Sequence, residues 1–178
     1  MSKSSSLIDP RDFDLCVRKL RNFFSKKGFL EVHPQSGLSI LAACEDPTTI
    51  ATYNYAGNLW PLPQTGQMWL EHELLKNPSL PGLFSVSTSY RNEPNPVPGR
   101  HDLVFPMFEF EMKGYMSDLI QLEKELLIDL GFGKHYSEEK NRFPEGDYTD
   151  VANKYGVKEL EHQHETQLNE DYGPVFFL

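Results

Sequence analysis

Apolar residues recur at helical spacing near the start of the chain, where Phe13, Val17, Leu20 and Phe24 lie three or four positions apart. Their side chains therefore share one stripe of an α-helix. Asp9-Pro10 supplies an N-cap and a proline at the first helical position, and Gly28 supplies a stop. The pattern then changes: residues 30–33 read as a short strand meeting Pro34, and residues 35–56 are less regular. Residues 59–62 are strand-like, carry two prolines at their end and lead into a turn at 64–67. A second helix is predicted over 67–76, ending before Pro78. Residues 83–92 and 105–112 alternate in strand fashion around the proline-rich stretch 94–99, so the pair reads as a long antiparallel hairpin with a protruding loop.

Ser117 reads as the cap of a third helix carrying Ile120, Leu126, Leu127 and Leu130 and closing at Gly131. Residues 147–155 and 160–171 predict two short polar-faced helices, and 174–178 the start of a buried strand. The mixture of charge, glycine and proline in 134–147 marks a surface loop. Together these elements predict an α+β fold, an antiparallel sheet flanked by helices. Residues 1–9 are expected to form a flexible N-terminus and 10–178 one core.

Composition narrows the function classes. At 178 residues, 39% hydrophobic and 12% aromatic, the chain can bury one substantial core, which argues against a disordered or fibrous protein. No apolar run is long enough to cross a bilayer, and the Ser-rich start lacks the apolar stretch of a signal peptide, so a cytoplasmic location is expected. A net charge of −9 argues against a general affinity for polyanions, although a focused pocket of arginines can still hold ATP. Cys16 and Cys44 form no CxxC pair and read as buried free thiols. His162 and His164 are two apart on a helix and point to different sides, so no metal site is expected from them.

The hairpin carries the candidate chemistry. Side chains alternate along a strand, so Ser87, Ser89, Arg91 and Glu93 share one face and Phe105, Met107, Glu109 and Glu111 share the face of the partner strand. Val86, Thr88 and Tyr90, with Phe108, Phe110 and Met112, lie opposite. Arg91 is a forked donor for phosphate, Glu93 an acceptor for an exocyclic amine, Phe105 a flat ring for a base, and Arg100 with His101 further donors at the loop base. The alternative is a surface hairpin laced by cross-strand ion pairs from Arg91 to Glu109 or Glu111.

Tyr90-Arg91-Asn92-Glu93, a loop, then Arg100-His101, Phe105 and Glu109-Phe110-Glu111 resembles the second signature motif of class II aminoacyl-tRNA synthetases. The spacing is similar to that of the asparaginyl branch of the aspartate, asparagine and lysine group. The resemblance implies a class II fold and ATP-dependent formation of an aminoacyl-adenylate. Arg91 would be the catalytic residue at the α-phosphate, and Glu93 and Phe105 would meet the adenine. Arg100 and His101 would hold the β- and γ-phosphates, and Glu109 and Glu111 would form the site floor near the amino acid. Gln64-Thr65-Gly66-Gln67 followed by Glu71 resembles the asparaginyl form of the amino-acid loop, which makes Gln64, Gln67 and Glu71 amino-acid contacts. Leu70 stands where the aspartyl form has a lysine, which implies a neutral amide substrate before free aspartate. Gly28 to Val32 followed by Pro34 is similar to the end of the first motif and implies a homodimer. Glu161, Glu165 and Tyr172 to Val175 resemble the family's approach to its next strand. The resemblance covers residues 10–178.

The pattern departs from the family in three respects. Val104 replaces a glutamate before the stacking phenylalanine, and Pro94, Pro96 and Pro98 stiffen the loop, which bears on contact with tRNA. The glycine-rich third motif, its second ATP-binding arginine and the acidic residues that hold Mg2+ have no counterpart, so magnesium ligands are expected outside this chain. Two explanations stay open: a piece of a longer synthetase, or a paralog that is non-catalytic or forms a free amide without charging tRNA.

Overall fold

The structure is a computed structural model and describes residues 8–34, 47–99 and 101–178. Its contacts divide the chain into two compact units, one ending at Lys113 and the other beginning at Gly114.

In the first unit, helix α1 (Pro10–Lys26) starts on the Asp9 carboxylate, which accepts the Arg11 backbone N–H at 2.8 Å. Gly28, with φ +82, turns the chain into strand β1 (Leu30–Glu31). A two-stranded ribbon follows, β2 (Thr52–Tyr55) and β3 (Asn58–Pro61), joined through Ala56 and Gly57 at φ 51 and 79. Strand β2 corrects the expectation of irregular chain before Ala56. Its four residues are all exposed, so it carries no apolar and polar alternation to read. The rest of that stretch, 35–46, lies outside the described residues. Helix α2 (Gln67–Lys76) and strands β4 (Gly82–Tyr90) and β5 (Val104–Met112) complete the unit, close to the bounds the sequence predicts.

The main sheet has the order β1-β4-β5, with β1 parallel to β4 and β5 antiparallel to it. Ser85 faces Glu109 in that register, so Phe84, Phe108 and Phe110 emerge on one face. There they surround Phe24 of α1, which is fully buried, with ring centroids 5.8, 5.2 and 4.8 Å away. Phe23 and Phe29 close the cluster at 5.2 and 5.3 Å. Gly82 is required by this packing, because a Cβ there would lie 2.4 Å from the Phe29 ring. On the opposite face Leu83 packs with Leu70 and Leu74 of α2, so the sheet lies between two helices. Cys16, expected to be buried, is exposed: it sits one residue, about 100° of helix turn, away from the buried Val17. Cys44 lies outside the described residues.

The second unit begins with α3 (Met116–Leu130). Its N-cap is Tyr115, not Ser117, and the Asp118 carboxylate accepts the Tyr115 backbone N–H at 2.7 Å. Gly131, at φ +107, ends it. Helices α4 (Tyr148–Lys154), capped by Asp147, and α5 (His162–Tyr172) are joined by a 2.6 Å ion pair from Lys154 to Asp171. His164 Nδ1 accepts the Glu161 N–H at 2.8 Å, a helix-capping role. Residues 174–178 form a single bridge, Phe177 to Glu145, rather than the expected strand. Pro174 and Pro144 lack the N–H groups that a longer ladder would use. The loop between α3 and α4 is anchored by Phe143, buried against Phe177 at 6.0 Å and Tyr136 at 5.2 Å.

Replacing Phe24 with alanine removes the ring that the other five residues touch. We expect a loss of about 3–5 kcal/mol in urea unfolding. A loss below about 1 kcal/mol would show that this cluster is not the organising core.

Candidate functional site

The face of β4–β5 turned away from Phe24 carries Leu83, Ser85, Ser87 and Ser89 opposite Glu111, Glu109, Met107 and Phe105. The sequence places Ser87, Ser89, Phe105, Met107, Glu109 and Glu111 on this face, and the register adds Leu83 and Ser85 and sets where each lies along it.

Glu109, 9% exposed, is the most heavily bonded of them. Its carboxylate accepts the Thr65 hydroxyl, the Gly66 backbone N–H at 2.8 Å and the Ser87 hydroxyl at 2.8 Å. Each is a hydrogen bond to a charged group, stronger than a neutral one. The loop before α2 reaches this carboxylate because it is stitched along β4: Tyr90 N–H donates to the Pro63 carbonyl at 2.9 Å, and Asn92 N–H to the Thr49 carbonyl at 2.8 Å. Gln64 is buried and donates through Nε2 to the Thr49 hydroxyl at 3.1 Å. Its amide points into the fold and fixes the loop. Gly66 allows the close approach, since a Cβ there would lie 3.1 Å from Glu109 Oε2 and 3.0 Å from Pro34. Ser85 and Ser89 are fully buried, and their hydroxyls have no hydrogen-bond partner among the described residues.

Beside Glu109, partial burial raises the pKa of Glu111; a hydrogen bond from Gln67 opposes the rise, and the charges of Glu71 and Glu109 add to it. Gln67 and Glu71, at the start of α2, are both exposed. This end of the face is thus a group of three carboxylates and one amide.

At the other end the strands part. Arg91 N–H donates to the Leu103 carbonyl at 2.8 Å, and the Arg91 guanidinium lies over the Phe105 ring, 5.6 Å from its centroid. Glu93 and His101 meet at 2.8 Å across the base of the loop. Arg100 lies outside the described residues. The register overturns the ion-pair alternative for Arg91. Glu109 faces Ser85, six residues from Arg91, or about 20 Å of strand; Glu111 is farther still.

Sequence reading did not single out Thr49, Thr65 or Ser87 as organisers of the site. Ser87 shares the Glu109 face in the alternation, and Thr65 adjoins Gly66, so both left a signal. Thr49 lies in a short 3-10 turn within an irregular stretch and left none.

The raised pKa of Glu111 has a sign for stability. Its folded-state value lies above the unfolded one, so the cost of ionising it is absent below the usual carboxylate range, grows as pH rises through the raised value, and is complete above it. Glu111→Gln should therefore raise Tm at neutral pH, with the gain shrinking at acidic pH. A variant less stable than the parent at neutral pH would contradict this.

Residues 11–178 match the family model described as tRNA synthetases class II (D, K and N). Against curated proteins the sequence finds no match. Among solved structures, asparaginyl-tRNA synthetase from Pyrococcus horikoshii, complexed with asparaginyl-adenylate, is similar at a TM-score of 0.72 and 21% identity, over 92% of this chain and 42% of that one. The Entamoeba histolytica asparaginyl-tRNA synthetase in complex with asparaginyl-adenylate gives 0.63 and 18%, over 90% and 40%. A putative aspartyl-tRNA synthetase from Leishmania major Friedlin gives 0.54 and 21%, over 66% and 21%. Likeness at these identities carries the fold, and the chain spans about two fifths of the length of the first two. With the family model matched across nearly the whole α+β chain, the protein belongs to the class II tRNA synthetases of the D, K and N group.

Proposed function

We propose that the β4–β5 face is one wall of an amino-acid-activating site of the aminoacyl-tRNA ligase type, in which ATP and an asparagine-like amino acid become an aminoacyl-adenylate. The observation that carries this reading is the contact of Arg91 with Phe105 at one end of a strand face whose other end holds Glu109 and Glu111. A phosphate donor and a base platform adjoin, and the acidic group lies along the same strands.

In this reading a carboxylate oxygen of the amino acid attacks the α-phosphorus of ATP; the new O–P bond forms as the bond to pyrophosphate breaks. Arg91 stabilises the charge that builds on the α-phosphate, and no protein nucleophile is needed. Phe105 stacks on the adenine, Glu93 accepts its amino group, and His101 with Arg100 holds the leaving pyrophosphate. The amino acid's ammonium enters among Glu71, Glu111 and Gln67, where it offsets the burial and the carboxylate repulsion that raise the pKa of Glu111. Glu109 and Gln64 hold the loop that shapes this end.

A fourth carboxylate would be repelled by the three present. Leu70, fully buried against Leu74 and Leu83, offers no cation to offset it. A neutral amide side chain fits better than aspartate. Mg2+ accompanies ATP in solution, but the described residues contain no group of three His, Cys, Asp or Glu placed to hold it. Family membership supports tRNA as the final acceptor and the cytoplasm as the location. No helix among the described residues is long and apolar enough to cross a membrane.

The reading is tested by amino-acid-dependent exchange of labelled pyrophosphate into ATP. Asparagine should support exchange and aspartate should not, and Arg91→Ala should lower the rate about 10²- to 10³-fold. No exchange with any of the twenty amino acids, together with no binding of an asparaginyl-adenylate analogue, would sink it.

We also infer a homodimer. Leu15 on α1 and Leu30 on the edge strand β1 stand 57 and 50% exposed, apolar side chains available to a second copy. Light scattering should give about twice the 20.5 kDa of one chain; a monomer at micromolar concentration would refute this.

A further inference from the structure

The second unit contains a cavity of about 300 Å³ that the proposed activity does not use. It is lined by His135, Ser137, Lys140, Arg142, Tyr172 and Phe176, with Glu145 beside them. In a chain of net charge −9 this is a local reversal of sign: two cationic side chains and an imidazole line the cavity against one carboxylate. That carboxylate is already engaged, since Glu145 accepts Arg142 Nη1 at 2.6 Å. The pairing sets the plane of the guanidinium and leaves its other N–H groups for a second acceptor. The bridge between Ser137 and Arg142 folds the turn so that Lys140 lines the same space. The Ser137 oxygen accepts the Lys140 backbone N–H at 3.3 Å, which keeps its hydroxyl hydrogen for a ligand. Glu138 and Glu139, at the tip of the turn, are exposed and do not line the cavity.

Two further lining residues are aromatic. Tyr172 and Phe176 lie with ring centroids 4.7 Å apart and planes tilted by 43°. Tyr172 is held from outside by Lys154, whose Nζ donates to its hydroxyl at 3.1 Å and lies 4.6 Å from its ring centroid. The Arg142 guanidinium and the Tyr172 ring are thus held before any ligand arrives, which lowers the ordering cost of binding. The volume is at the small end of ligand sites.

We propose that this cavity binds a nucleoside monophosphate, its phosphate on Lys140, Arg142 and Ser137 and its base against Tyr172 and Phe176. Its lining shares no residue with the β4–β5 face, and the proposal does not depend on the activity assigned there. The test is an NMR titration of the full chain with AMP, adenosine and inorganic phosphate in turn, following the His135 and Tyr172 ring signals, in the parent and in Arg91→Ala, Lys140→Ala and Lys140→Arg. We expect saturable shifts with AMP, much weaker responses to adenosine or phosphate alone, the same affinity in Arg91→Ala and Lys140→Arg, and about tenfold weaker binding in Lys140→Ala. Three results would each overturn the proposal: no shift at His135 and Tyr172 with millimolar AMP, phosphate alone binding as tightly as AMP, or unchanged AMP affinity in Lys140→Ala.

Discussion

The antiparallel register that sets Ser85 opposite Glu109 governs both faces of the sheet in the first unit. Side chains alternate with a period of two, so this one alignment sends Phe84, Phe108 and Phe110 to Phe24 and, on the reverse, brings Glu109 under Gly66 and Ser87. A slip of one residue on β5 would bury Glu109 and Glu111 among aromatic rings and send Phe108 and Phe110 to the site face. Burying an unpaired carboxylate costs more than a surface ion pair returns. The aromatic core is therefore also what specifies the site.

Much of this was legible because it rests on local rules. The Asp9-Pro10 start, the glycine stops at Gly28 and Gly131 and the alternation of the two long strands all leave marks within a few residues of each other. What was not legible depends on partners distant in sequence or on surface strands without a buried face. Thr52 to Tyr55 pairs with β3 while exposed along its whole length, so hydropathy is silent there. The single bridge at Phe177 depends on Pro144, more than thirty residues away. The resemblance identified the family from the Arg91 to Glu111 pattern, and the match over residues 11–178 bears it out.

The site residues divide along a line that pattern alone does not draw. Gln64 and Glu109 both belong to the motif-like stretches, yet their polar atoms are committed to Thr49, Thr65, Gly66 and Ser87. Gln67, Glu71 and Arg91 are exposed. Gln64 in the loop and Gln67 at the start of α2 thus take different duties, one turned into the fold and the other toward Glu111. Spacing cannot separate them, because the choice depends on Thr49, contributed from fifteen residues upstream.

The two glutamates of β5 show the same division in electrostatic form. Glu109 is the more buried, but three donors surround it, so its charge is compensated by groups that also tie the loop to the sheet. Glu111 is half-buried with one amide partner and two neighbouring carboxylates, and burial first, then those charges, raise its pKa. A buried acid with satisfied donors stabilises a fold, whereas a half-buried acid short of donors is a place where a cation lowers the free energy on arrival. Alternation puts both side chains on one face two residues apart, and the difference between them comes from what the α2 loop brings to each. That difference is the physical basis for reading Glu109 as the framework of the acidic end and Glu111 as the group that meets a substrate ammonium.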